Sequence, residues 1–126
     1  MAASQEEAEQ SVRISSYLHA MIAQTPAPPY YAVIFTSIRS DQPEGYDDTA
    51  TRMQLLACEQ PGYLGFESAR DGLGISVSYW RDLASIRSWK QQADHLIAQE
   101  KGRTEWYSVY QVRIARVERD YAFHSE

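Results

Sequence analysis

Cysteine is almost missing from this chain. Cys58 stands alone among 126 residues, which excludes an internal disulfide and a cysteine-based zinc site and points to a cytoplasmic location. Positive charge is also in deficit: 12 Lys and Arg face 17 Asp and Glu, a net charge of −5. That balance argues against a nucleic-acid binder, which needs a basic surface to neutralise phosphates. No segment approaches the roughly 18 consecutive apolar residues of a membrane span. The start, MAASQEEAEQSVRISSYL, carries acidic residues where a secretory signal has a basic start followed by an apolar core. There is no phosphate-cradling glycine loop, because DGLG at 71–74 lacks the required spacing and a following helix, and reads as a turn. No His and carboxylate residues stand at metal-ligand spacing: Asp94 and His95 are isolated, and His19 and His124 lie in the tails. What remains is an ordinary globular balance of 44% hydrophobic and 23% charged residues, enough for one domain with a single core.

Residues 1–28 differ from the rest. An acidic stretch and a short mixed segment with room for one helix lead into TPAPP, whose prolines favour an extended connector. Met21 precedes the globular pattern and is a candidate alternative start, which mass spectrometry of the native protein would reveal. The domain is expected over 29–122, with 123–126 as a tail. YYAVIFTSIR at 30–39 is rich in β-branched and aromatic residues and apolar on both alternating faces, which predicts a strand covered on both sides. Tyr46, Ala50, Met53, Leu56 and Ala57 recur at helical spacing behind acidic residues and before Pro61-Gly62. The stretch GYLGFESARDGLGISVSYW predicts a hairpin with strands near 63–70 and 75–80. Asp82 is an N-cap candidate for a second helix whose stripe is Leu83, Ile86, Trp89, Ala93 and Leu96 or Ile97, ending at Gly102. A last strand is expected from about 107 to 117.

The order strand, helix, strand, strand, helix, strand predicts an α+β, ferredoxin-like βαββαβ fold, with a four-stranded antiparallel sheet and both helices on one face. The other face then needs a cover that the chain lacks. A homodimer that pairs sheet against sheet supplies it.

PPYYAVIFTSIRS, QPGYLGFESAR…GISVSYW and SYWRDLASIRSWKQQADHLIAQEKGRTEWYSVYQVRIARVERDY resemble the antibiotic biosynthesis monooxygenase (ABM) superfamily of dimeric α+β barrels over about residues 28–122. The last stretch is most similar to a bacterial branch of largely unassigned function close to haem-degrading monooxygenases. The resemblance implies a ligand held between sheet and helices near the second helix. It places the Trp that closes the third strand at Trp80 and the helical Trp at Trp89. Haem degraders carry an Asn on the first strand, where this chain has Ser37, and a haem-ligating His ten residues after the helical Trp, where it has Gln99; His95 lies one turn earlier.

Three functions are compatible with that resemblance. The first is a monooxygenase acting on a small aromatic or polycyclic substrate with dioxygen, without metal or flavin. The second is a protein that binds or degrades haem or holds another planar ligand, and the third is a dimeric scaffold without a ligand. His95 is the candidate base, since imidazole exchanges protons near neutral pH. On an unbroken helix, though, it falls with Ser88, Gln92 and Gln99 opposite the apolar stripe, so it is a solvated histidine unless the helix breaks near Gln91. Phe35, Ser37, Trp80, Trp89, Gln99, Trp106 and Tyr107 are the candidate ligand contacts. For the three Trp residues, packing in the core or at the dimer seam is the competing reading. If the Phe35 side of the first strand faces the helices, Ser37 brings its hydroxyl to the pocket.

Overall fold

The computed structural model describes residues 4–9, 21–40, 46–99 and 106–125, with the side chains of 46–49 and 97–99 outside the description. The expected helix of the N-terminal segment falls largely on residues outside it; 5–9 form a short helix. The elements are β1 (Tyr30–Arg39), α1 (Tyr46–Cys58), β2 (Tyr63–Asp71), β3 (Leu73–Trp80), α2 (Leu83–Gln99) and β4 (Tyr107–Val117). They form an antiparallel sheet in the order β2-β3-β1-β4, so the chain has the ferredoxin-like α+β fold. Among the described residues no helix is long and apolar enough to cross a membrane.

Local chemistry sets the boundaries. Asp82 caps α2 by accepting the Ser85 backbone N–H at 2.7 Å, and the Ser85 side-chain hydroxyl, followed by this backbone bond, holds its carboxyl below the usual range. α1 ends in a tightened turn: the N–H of Gln60 donates to the carbonyl of Ala57 at 3.0 Å. Gly62 follows at φ +84°, a conformation costly for any residue with a side chain. A Cβ there would also collide with Ser85, so the start of α2 rests directly on this glycine. The hairpin is tighter than the four-residue turn expected from DGLG. Strand pairing continues to Asp71 and Leu73 around Gly72, whose positive φ makes the reversal possible.

The register sorts every strand residue onto a face. Tyr31, Val33, Phe35 and Ser37 lie opposite Trp80, Ser78, Ser76 and Gly74 of β3, and opposite Arg116, Ile114, Val112 and Tyr110 of β4. Tyr31 and Val33 pack against a core of Ala57, Trp80 and Ile86, with Tyr63 and Trp89 around it. Ala57 and Ile86 belong to the two helices, so this is the helix face. Trp80 is fully buried, stacked on Trp89 at 5.9 Å, edge-on to Tyr63, and donates its indole N–H to Ser78 Oγ at 2.8 Å.

The outer face carries Tyr30, Ala32, Ile34, Thr36 and Ile38, with Leu73, Ile75, Val77 and Tyr79 beside them. At one end the proline-containing connector lies on it. The Ala23 N–H donates to Glu67 at 3.0 Å, Tyr79 Oη donates to the same carboxylate at 2.6 Å, and Thr25 Oγ1 donates to Tyr30 Oη. Tyr30 in turn donates to Asp120 beyond β4. Both tails are thereby fastened to the sheet around a Tyr30–Tyr79 edge-to-face pair.

Desolvation, and then the neighbouring Glu67, push the Tyr79 phenol well above its ordinary value. A phenol whose folded pKa is raised stabilises the protein below the unfolded value of about 10. That contribution is lost as pH rises from there through the folded pKa, because only the unfolded chain releases the proton. Urea midpoints of the wild type should therefore fall on going above about pH 10, and fall less steeply for Tyr79→Phe; parallel profiles would show that Tyr79 is not responsible.

Candidate active site

α1 and α2 pack on the β2–β3 side of the sheet, so the helix face of β4 stays open, with Tyr110 59%, Val112 47% and Ile114 54% exposed. This open part of the helix face is an aromatic floor: Phe35 stacks with Tyr110 at a centroid distance of 5.4 Å and 22°, and meets Tyr107 edge-on at 5.4 Å. Tyr107 and Tyr110 are themselves in edge contact at 6.0 Å. Tyr107 joins this face because the pairing of β4 with β1 slips between Ile38 and Arg39, which turns the start of β4 inward.

Ser37 closes one end of the floor. It is 1% exposed, and its side-chain oxygen accepts Arg70 Nη2 at 2.5 Å while its carbonyl lies 3.4 Å from Nη1. Arg70 starts on β2 and reaches β1 by crossing β3 at Gly74, where a Cβ would collide with the guanidinium. The φ of Gly74 is not positive. Its missing side chain therefore provides room for Arg70 and does not serve an unusual backbone shape.

The candidate residues divide into groups. Phe35, Ser37 and Tyr107 come together on the floor. Trp80 and Trp89 form the stacked pair of the core, at the far end of the helix face. Ser37 lies six positions along β1 from Tyr31, which marks their row, about 20 Å at the rise of an extended strand. Trp106 is buried within the chain, and its carbonyl accepts the Ser40 N–H at 2.7 Å. α2 runs unbroken from Leu83 to Gln99, and His95 is exposed on it. The Gln99 side chain lies outside the described residues. Leu83, expected on the buried stripe, is 43% exposed at the first turn, whereas Ile86 is buried. Sequence reasoning missed Tyr110 and Arg70. Alternation along β4, with Tyr110, Val112 and Ile114 on one side, carried a signal for the first. Nothing local marked the second.

An antiparallel sheet in the order β2-β3-β1-β4 with two helices on one face is the architecture of ferredoxin-like α+β proteins. The antibiotic biosynthesis monooxygenase family matches residues 29–101, and the chain belongs to that family. It is 51% identical over 104 residues to the uncharacterised protein YqjZ of Bacillus subtilis, covering 81% of this chain and 91% of that one. It is 34% identical over 94 residues to the jasmonate monooxygenase of Pyricularia oryzae, covering 69% of this chain but 43% of the fungal protein. Among solved structures it resembles SnoaB, a cofactor-independent oxygenase from Streptomyces nogalater, with a TM-score of 0.62 over 74% of this chain and 97% of that chain. At 10% identity that likeness concerns the fold.

Proposed function

We propose that the chain is a small-molecule monooxygenase that binds an aromatic or polycyclic substrate on the Phe35–Tyr107–Tyr110 floor and oxidises it with dioxygen, without metal or flavin. The observation that carries this reading is the open aromatic floor on the helix face of the sheet. Aromatic side chains there offer a planar substrate offset-stacked and edge contacts. The membership in the family and the oxygenase activities of the fungal relative and of SnoaB support the reaction class.

The chemistry balances without an external reductant. An ionised phenol is electron-rich at the para carbon and gives an electron pair to dioxygen, forming a C–O bond. Loss of the ring proton and cleavage of the O–O bond leave a carbonyl, and the second oxygen departs as water. With 1-naphthol the products are 1,4-naphthoquinone and water. The protein supplies orientation on the aromatic floor.

The test is dioxygen uptake and quinone formation with 1-naphthol or a hydroxyanthracene. Tyr110→Ala is expected to lower kcat/KM by about tenfold or more, the worth of a lost aromatic contact plus its buried area. Its thermal midpoint should hold, because the residue is largely exposed. No uptake with any polycyclic phenol would remove the proposal. His95 faces solvent, and His95→Ala is expected to stay within about twofold of wild type, leaving ionisation to the medium. A larger loss would restore His95 as the base. Haemin titration examines the haem reading: a Soret shift abolished by His95→Ala would favour it over the oxygenase.

We further infer that the working form is a homodimer joined through the outer face. Ile38, Leu73, Ile75 and Val109 are exposed there, and an open depression of about 180 Å³ is lined by Ile38, Leu73 and Val109 together with Thr36, Gln111 and Arg113; exposed apolar residues grouped in this way mark an interaction site. The connector and the tail occupy the opposite end, so the partner sheet would cover the remainder.

A further inference from the structure

Building on the outer-face dimer inferred above, we propose that the C-terminal tail of each protomer docks on a second copy of this chain, seating Tyr121 and Phe123 in the depression at the open end of that copy's outer face. Within one protomer Tyr121 and Phe123 are 93% and 88% exposed, with only the small Ala122 between them. Large aromatic side chains dominate the energetics of interfaces, and these two stand on a segment whose root is fixed. Tyr30 donates to Asp120, and Thr25 of the connector donates to the same Tyr30.

The occupant must come from another chain, because a protomer's own tail does not reach its own depression. Ile38 lies eight positions along β1 from Tyr30, roughly 26 Å at the rise of a strand, whereas the three residues from Asp120 to Phe123 span at most about 11 Å. A two-fold axis lying between the two sheets and running across the strands places the Tyr30 end of each copy over the Ile38 end of the other. Both depressions then receive a tail. An axis along the strands would instead stack the two connector ends, where Ala23 already sits on Gly65. Charge agrees with the first arrangement: Arg113 brings a positive charge to the lining of the depression, while Glu118, Asp120 and Glu126 outnumber Arg119 after β4.

Crosslinking between unlike chains tests the contact. In a Cys58→Ser background, which removes the exposed native thiol, Val109→Cys and Phe123→Cys chains are purified separately, mixed and oxidised with diamide. Unlike chains should be linked several-fold more than like chains. In a sedimentation dilution series, the double variant Tyr121→Ser with Phe123→Ser should raise the dimer dissociation constant about tenfold or more, the loss expected on removing aromatic anchors. Its circular dichroism spectrum should match the wild type, since both side chains are exposed within the protomer. A double variant that dimerises as tightly as the wild type, or like chains linked as often as unlike ones, would overturn the tail contact and leave the outer-face dimer standing. A wild type that is monomeric throughout the series would overturn both.

Discussion

Replacing Trp80 by alanine is expected to destabilise the protein by about 3–5 kcal/mol, the range for removing a large aromatic side chain from a core. Trp80 is 0% exposed and holds three others in place: Trp89 stacks on it, Tyr63 meets its edge, and Ser78 accepts its indole N–H. Truncation empties the space between β3 and the helices Tyr46–Cys58 and Leu83–Gln99, and leaves Ser78 without that donor. A domain of this size has about 5–15 kcal/mol in total, so the variant should unfold at a much lower urea concentration and accumulate poorly. Trp80→Phe retains most of the apolar volume and keeps the measurement possible, with an expected loss of about 1–2 kcal/mol for the missing hydrogen bond and the smaller ring. Trp89 is only half-buried, and Trp89→Ala should cost less than Trp80→Ala. A change below about 1 kcal/mol for Trp80→Ala would contradict a core centred on this residue.

An aspartate at Ile75 is expected to dissociate the proposed dimer. Ile75 is 44% exposed on the outer face, opposite Thr36 on β1 and Ala69 on β2, far from the connector that covers the Tyr79 end. Pairing two such faces would bury the new carboxylate among Ile38, Leu73 and the partner sheet, and taking a charge out of water in this way costs several kcal/mol per subunit. Sedimentation should find the wild type at twice the 14.4 kDa chain mass and Ile75→Asp at the single-chain mass with an unchanged circular dichroism spectrum. A wild type that remains monomeric at micromolar concentration would end the pairing proposal. The substitution also separates turnover from assembly, because Ile75 is on the face away from the aromatic floor. If the monomeric variant still oxidises 1-naphthol, the site is complete within one protomer.

The elements were legible because each carries a local signature. Alternating β-branched and aromatic residues mark Tyr30–Arg39, helical spacing marks Met53, Leu56 and Ala57, and Asp82 caps its helix as its side-chain chemistry requires. Even the last strand was legible, since the run from Tyr107 to Val117 alternates apolar and polar positions. The sites were legible only in part. Phe35, Ser37 and Tyr107 could be picked out one at a time, but nothing local indicated that Phe35 would stack on Tyr110. Trp80 and Trp89 have the same composition signal as a ligand-binding pair, and only the packing shows that Trp80 is fully buried with Trp89 stacked on it.

The sequence by itself determined the order of strands and helices, the class of fold, the lack of a disulfide within the chain, and the family resemblance, because these follow from periodicity, capping residues and composition along contiguous segments. Only the tertiary structure decided which face of Tyr30–Arg39 meets the helices, that His95 turns to solvent on an unbroken helix, and that Arg70 reaches Ser37. The physical reason is register. A strand shows two faces of similar hydrophobicity until its neighbours are hydrogen-bonded to it, and the order β2-β3-β1-β4 is what brings Arg70, Gly74, Ser37 and Tyr110 into one row.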